Sequence, residues 1–133
     1  MKRGLISDAE VFQNAPIRLQ NRLVKSSQQL LLRGDITTYS LKVISGNTAH
    51  VVFAADPPLL NFYDTLQVGN GWSRDASGWN FEYVFTPNGY INGASGEQYE
   101  GGKTYRLEFT AVDVGGATLA KWVWNVKVLP WAG

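Results

Sequence analysis

Large apolar side chains recur at every second position along most of the chain beyond residue 35. Trp79, Phe81, Tyr83 and Phe85 alternate with Asn80, Glu82 and Val84. Successive side chains of an extended chain point to opposite faces, so these four rings line one face of a strand over 79–86. The same period places Tyr39, Leu41 and Val43 opposite Thr38, Ser40 and Lys42, the pattern of a half-buried strand. Tyr105, Leu107, Phe109 and Ala111 alternate with Arg106, Glu108 and Thr110, and residues 118–129 return with Ala120, Trp122, Trp124, Val126 and Val128 on one face. Gly46-Asn47 and Gly115-Gly116 are turn signals, which predicts hairpins over 36–54 and 104–129. A further strand is expected within 59–68, and 69–78 and 90–102 read as loops from their glycine content. Asp56-Pro57-Pro58 ends the first hairpin, because proline cannot donate to a ladder.

Six to eight strands with no amphipathic helix between them predict an all-β sandwich, immunoglobulin-like or, alternatively, a jelly roll. Residues 1–33 break the pattern. They hold one aromatic, Phe12, and are rich in Gln, Asn, Leu and Arg. Residues 17–25 fit a short helix and 28–33 fit a first strand. The expectation is an N-terminal arm, residues 1–33, leading into a sandwich domain, residues 34–133.

Composition narrows the chemistry. A chain of 133 residues with 44% hydrophobic content is long enough for one core without staples. It has no cysteine, which removes disulfides, thiol catalysis and Cys-ligated zinc, and tilts towards assembly in a reducing cytoplasm. The positive start Met1-Lys2-Arg3 is not followed by an apolar stretch, since Asp8 and Glu10 interrupt, so no export signal is expected. No apolar run approaches the roughly 20 residues of a membrane helix, and no membrane role is expected. Charge is uneven. Residues 1–33 hold six basic and two acidic residues, whereas 34–133 hold six basic and nine acidic. A basic segment on a mildly acidic body suits docking on an acidic surface.

Candidate catalytic groups are few. His50, the only histidine, lies in a strand-like run, and no Gly-x-Ser-x-Gly elbow accompanies it. Asp56, Asp64, Asp75, Glu97 and Glu100 are loop acids without the spacing of a calcium loop, and read as surface carboxylates rather than a glycosidase pair. The glycines of 69–102 form no phosphate loop. Arg33-Gly34-Asp35 matches an adhesion tripeptide, but reads as a tight turn with Asp35 hydrogen-bonding locally. Asp113 reads as a turn residue. No metal or cofactor is expected. Nucleic-acid stacking would need basic residues interleaved with the rings, and Arg74 alone stands near Trp72. Trp72, in a Gly/Asn/Ser loop, and Trp131, after Pro130, are the indoles placed for an interface, because indoles bury large area at little entropic cost.

The run Glu100-Gly-Gly-Lys-Thr-Tyr-Arg-Leu-Glu-Phe-Thr-Ala-Val-Asp-Val-Gly-Gly116 is similar to the closing hairpin of immunoglobulin-like modules of the polycystic-kidney-domain type. Those modules carry a glycine, a tyrosine, alternating apolar residues, and Asp before the glycine turn. The wider layout, an arm on a cysteine-free sandwich with a polar Arg-Gly-Asp entry, resembles accessory proteins of tailed bacteriophage virions. That resemblance implies a non-enzymatic structural protein in the virion, assembled in the host cytoplasm. Such a protein decorates or cements a capsid, or sits on the tail. Its partners would be viral coat or tail proteins and further copies of itself. The expected interface is Arg3, Phe12, Arg18, Arg22, Lys25, Trp72 and Trp131, with the arm reaching along a neighbour. The alternative is a carbohydrate-binding module in which Trp72, with Tyr90 or Tyr99, stacks on a glycan.

Overall fold

In the computed structural model the described residues are 5–25, 29–45, 50–55, 59–69, 72, 77–87 and 99–130. For Leu5, Ser45, His50–Ala55 and Leu60 the description is of backbone alone. The chain folds as an all-β sandwich. Its strands are β1 (Leu5–Phe12), β2 (Ile17–Asn21), β3 (Thr38–Ser45), β4 (His50–Ala55), β5 (Phe62–Gln67), β6 (Trp79–Phe85), β7 (Thr104–Val112) and β8 (Thr118–Leu129). One sheet runs in the order β1-β8-β7-β3-β4 and the other in the order β2-β6-β5. The pairings are antiparallel except β1 with β8, which is parallel.

Both expected hairpins form: β3 with β4, and β7 with β8. Asp113 Oδ1 accepts the N–H groups of Gly115 and Ala117, which closes the second turn. The alternation seen in the chain becomes the inner face. Tyr39, Leu41 and Val43 of β3, Tyr105, Leu107, Phe109 and Ala111 of β7, and Trp122, Trp124, Val126 and Val128 of β8 are buried. Phe81 and Phe85 of β6 meet them from the opposite sheet. Trp122 lies at the centre, stacked on Phe109 at 5.5 Å and edge-on to Phe81 at 5.0 Å and Phe62 at 5.9 Å. Such ring pairs each add roughly 0.5–1.5 kcal/mol beyond area burial.

The segment expected as an arm is sheet over much of its length. β1 pairs with β8 from Leu5↔Trp122 to Phe12↔Leu129, and β2 pairs with β6 from Ile17↔Phe85 to Asn21↔Phe81. The chain changes sheets between them through a turn with Asn14 at φ 68°, a left-handed conformation that Asn tolerates. Residues 17–21 are therefore strand and not helix. The reason is that Leu19 and Asn21 face inward, with Leu19 fully buried and Asn21 accepting the Trp124 indole N–H at 2.7 Å across the core. Beyond β2 the chain doubles back. Val24 bridges Leu30, and Leu31 N donates to Leu23 O. Leu23 and Leu31 both enter the core.

Candidate functional site

Most described members of the expected interface hold the sandwich together. Arg18, on the outer face of β2, donates from Nη1 to Glu82 Oε1 at 2.9 Å, while Gln20 Nε2 donates to Glu82 Oε2 at 2.8 Å. Glu82 is a buried carboxylate, and the two donors satisfy it. Arg22 donates to Gly78 O at 3.2 Å. Gly78 has φ 102°, and a Cβ there would lie 2.1 Å from Gln67 O, so only glycine lets β5 and β6 approach. Lys25 pairs with Asp35 at 3.2 Å. Arg3 and Trp131 lie outside the described residues.

The Arg-Gly-Asp tripeptide forms a short 3-10 helix, Arg33–Asp35. Its guanidinium donates twice to Phe62 O, at 3.0 and 2.7 Å, and Arg33 N donates to Asp64 Oδ1. Asp35 Oδ2 accepts Leu32 N at 3.0 Å. That backbone hydrogen bond, helped by Lys25, holds the Asp35 carboxyl below its ordinary value against the opposing effect of burial. Both charged ends of the tripeptide are thus committed to the fold.

Trp72 is half-buried, its backbone N–H donating to Gly69 O. Of the two tyrosines expected beside it on a sugar platform, Tyr90 lies outside the described residues and Tyr99 is core: its ring meets Phe85 at 5.4 Å and Tyr105 at 5.0 Å. Burial pushes the Tyr99 hydroxyl well above its ordinary ionisation range. His50 opens the edge strand β4. Asp56, Asp75 and Glu97 lie outside the described residues. Asp64 caps Arg33 N, and Glu100 pairs with Lys103 at 2.8 Å.

Two further side chains tie separate segments together: Asn80, on the polar phase of β6, and Tyr105, on the apolar face of β7. Asn80 is fully buried on the outer side of β6. Its Oδ1 accepts Leu23 N at 2.7 Å, and its Nδ2 donates to Leu23 O and Leu31 O. It clamps the folded-back segment 23–31 onto the sheet. Tyr105, at the start of β7, accepts Glu100 N on its hydroxyl at 2.9 Å.

What faces outward is different in kind. On β1 the outward row reads Ile6, Asp8, Glu10, Phe12. Ile6 is 72% exposed and Phe12 50% exposed. The facing β8 row is Val123, Asn125, Lys127 and Leu129. Asp8 accepts from Asn125 at 3.3 Å. The polar middle of these rows borders a shallow open depression lined by Asp8, Ala9, Glu10, Thr104, Asn125 and Lys127. Phe12 is the one described member of the expected interface that presents a large apolar surface to solvent. No protein-family model matches this chain, and no curated protein or solved structure is significantly similar to it.

Proposed function

We propose that this protein is a non-enzymatic, immunoglobulin-like interaction module that serves as a virion structural component, decorating a capsid or sitting on the tail through protein–protein contacts. The immunoglobulin-like reading draws on three features. The order β2-β6-β5 corresponds to strands B, E and D of that architecture, and β8-β7-β3-β4 to G, F, C and C′ of its variable type. The Tyr105 hydroxyl reaches back to Glu100 at the start of the F-like strand, as a tyrosine corner does. The likeness of residues 100–116 to the polycystic-kidney-domain hairpin falls on that same corner and the turn after it. These features favour the immunoglobulin-like reading over the jelly-roll alternative.

The observation that carries an interaction role is the outward row of β1, where Ile6 and Phe12 stand exposed on a sheet edge. Ile6 and Phe12 flank Asp8 and Glu10 on that row, so one exposed strand offers both apolar and charged groups to a partner. Among the described residues, several carboxylates serve the fold: Glu82 meets Arg18 and Gln20, Asp64 meets Arg33, and Asp35 meets Leu32 and Lys25. The virion setting rests on the resemblance to phage accessory proteins and the absence of cysteine. The mechanism differs from a reaching arm, because residues 5–25 are part of the sandwich; the contact is made by a sheet face and its edge.

Co-sedimentation tests this. The purified protein should pellet with virions of a tailed phage whose genome carries its gene. The Ile6→Asp/Phe12→Asp variant should stay in the supernatant while keeping its near-ultraviolet circular dichroism. Wild-type protein that never pellets with such particles removes the virion reading.

A further inference from the structure

The edge of β1 has a built-in preference for its neighbour. Among the described residues β1 has a strand partner on one side, β8, and its other edge is the edge of the sheet. An eight-residue edge strand with exposed apolar side chains is a template for an added strand. The row that such a strand would meet reads apolar, acidic, acidic, apolar: Ile6, Asp8, Glu10, Phe12.

The partner that β1 already has shows which chemistry suits this row. β8 sets Val123 beside Ile6, Asn125 beside Asp8, Lys127 beside Glu10 and Leu129 beside Phe12. Each β8 residue complements its neighbour: apolar on apolar, an amide donor on one carboxylate, an ammonium on the other.

A second copy of β1 does not fit the same edge. Two such strands joined antiparallel about a two-fold axis keep like faces together only in registers centred on a residue. Centring on Ala9 sets Asp8 opposite Glu10 twice. Centring on Asp8 or Glu10 sets that acid against itself, and centring on Ser7 or Val11 sets carboxylates against Ile6 or Phe12. Like charges directly opposite destabilise a ladder.

We infer that the outer edge of β1 accepts an extended segment of a different protein, paired as an added antiparallel strand, with lysine or arginine at two alternate positions flanked by apolar residues. Main-chain hydrogen bonds would supply affinity and the alternate side chains specificity. The inference rests on the interaction-module reading and names its partner's chemistry.

The test uses the full chain and a synthetic peptide, Thr-Leu-Thr-Lys-Thr-Lys-Thr-Val-Thr, with binding followed by calorimetry and by backbone amide shifts. The peptide should bind and move the amides of β1. Reversing charge in Asp8→Lys/Glu10→Lys should weaken it about tenfold, since two attractive cross-strand pairs become repulsive. The same variant should gain affinity for the peptide with glutamate in place of both lysines. Two N-methylated forms of the lysine peptide, one on odd and one on even residues, separate strand pairing from simple charge attraction. One form should lose binding to wild-type protein and the other keep it. Equal binding by both methylated forms overturns the inference, as does a peptide that fails to bind. So does a dimer that forms through β1. If the peptide fails while the protein still pellets with virions, the module reading stands and its contact lies on another face.

Discussion

Asn80 couples a surface segment to the sheet beneath it. Its carboxamide is the only described side chain that meets Leu23 N, Leu23 O and Leu31 O together. Leu23 O also receives Leu31 N, so truncation chiefly orphans Leu23 N and Leu31 O. Each buried orphan costs about 1–3 kcal/mol, so Asn80→Ala should lower stability by about 2–4 kcal/mol. Urea unfolding should show this as a lower midpoint with an unchanged slope, and a shift near zero would mean that water replaces the amide. The importance of Asn80 was not legible in its surroundings. It occupies the polar phase of the Trp79–Phe85 alternation, where a solvent-facing residue is expected, and only the folding back of 23–31 buries it. Arg18 and Glu82 illustrate the same limit. They lie 64 residues apart, and nothing local pairs them. Asp35 and Asp113 were legible, because their hydrogen bonds run to backbone within a few residues.

At the scale of elements, β3, β6, β7 and β8 could be read directly, since each buries one face of bulky residues and exposes the other. β1 and β2 could not. β1 turns small residues, Ser7 and Ala9, towards the core and acids towards solvent, so its period carries little hydrophobic contrast. Leu19 of β2 and Leu23 just beyond it stand four apart, the spacing of a helical face. In the fold Leu19 enters the core from the strand and Leu23 from the chain beyond it. The consequence is measurable. A chain lacking residues 1–25 loses both strands and the buried Val11, Leu19 and Leu23. Burial of each is worth about 1.5–3 kcal/mol, which together approaches the whole stability of about 5–15 kcal/mol. The truncated protein should therefore fail to fold, seen as loss of the cooperative thermal transition. A folded truncation would mean that β3 to β8 suffice.

Taken whole, the sandwich holds tyrosines between its layers. Tyr39 is buried, and desolvation, with a smaller contribution from Tyr83, pushes its hydroxyl far above the ordinary value of 10.0. Tyr83 and Tyr99 are raised as well, chiefly by burial. A group whose folded value is raised gives stability that is intact below its unfolded value and falls as pH rises past it. Alkaline unfolding should thus begin above about pH 10. These tyrosines should ionise together with loss of near-ultraviolet circular dichroism, not before it. Tyrosinate absorbance that rises fully in the still-folded protein would contradict this packing.

The parallel pairing of β1 and β8 sets the start of the first strand beside Trp122 and the end of the last beside Phe12. Leu5, where β1 begins, and Leu129, where β8 ends, therefore lie at opposite ends of this ladder. Tension applied between them runs along the ladder, so its rungs bear the load simultaneously and resist as a group. A peeling geometry would break them one after another. This body is arranged to stay shut when it is tugged lengthwise.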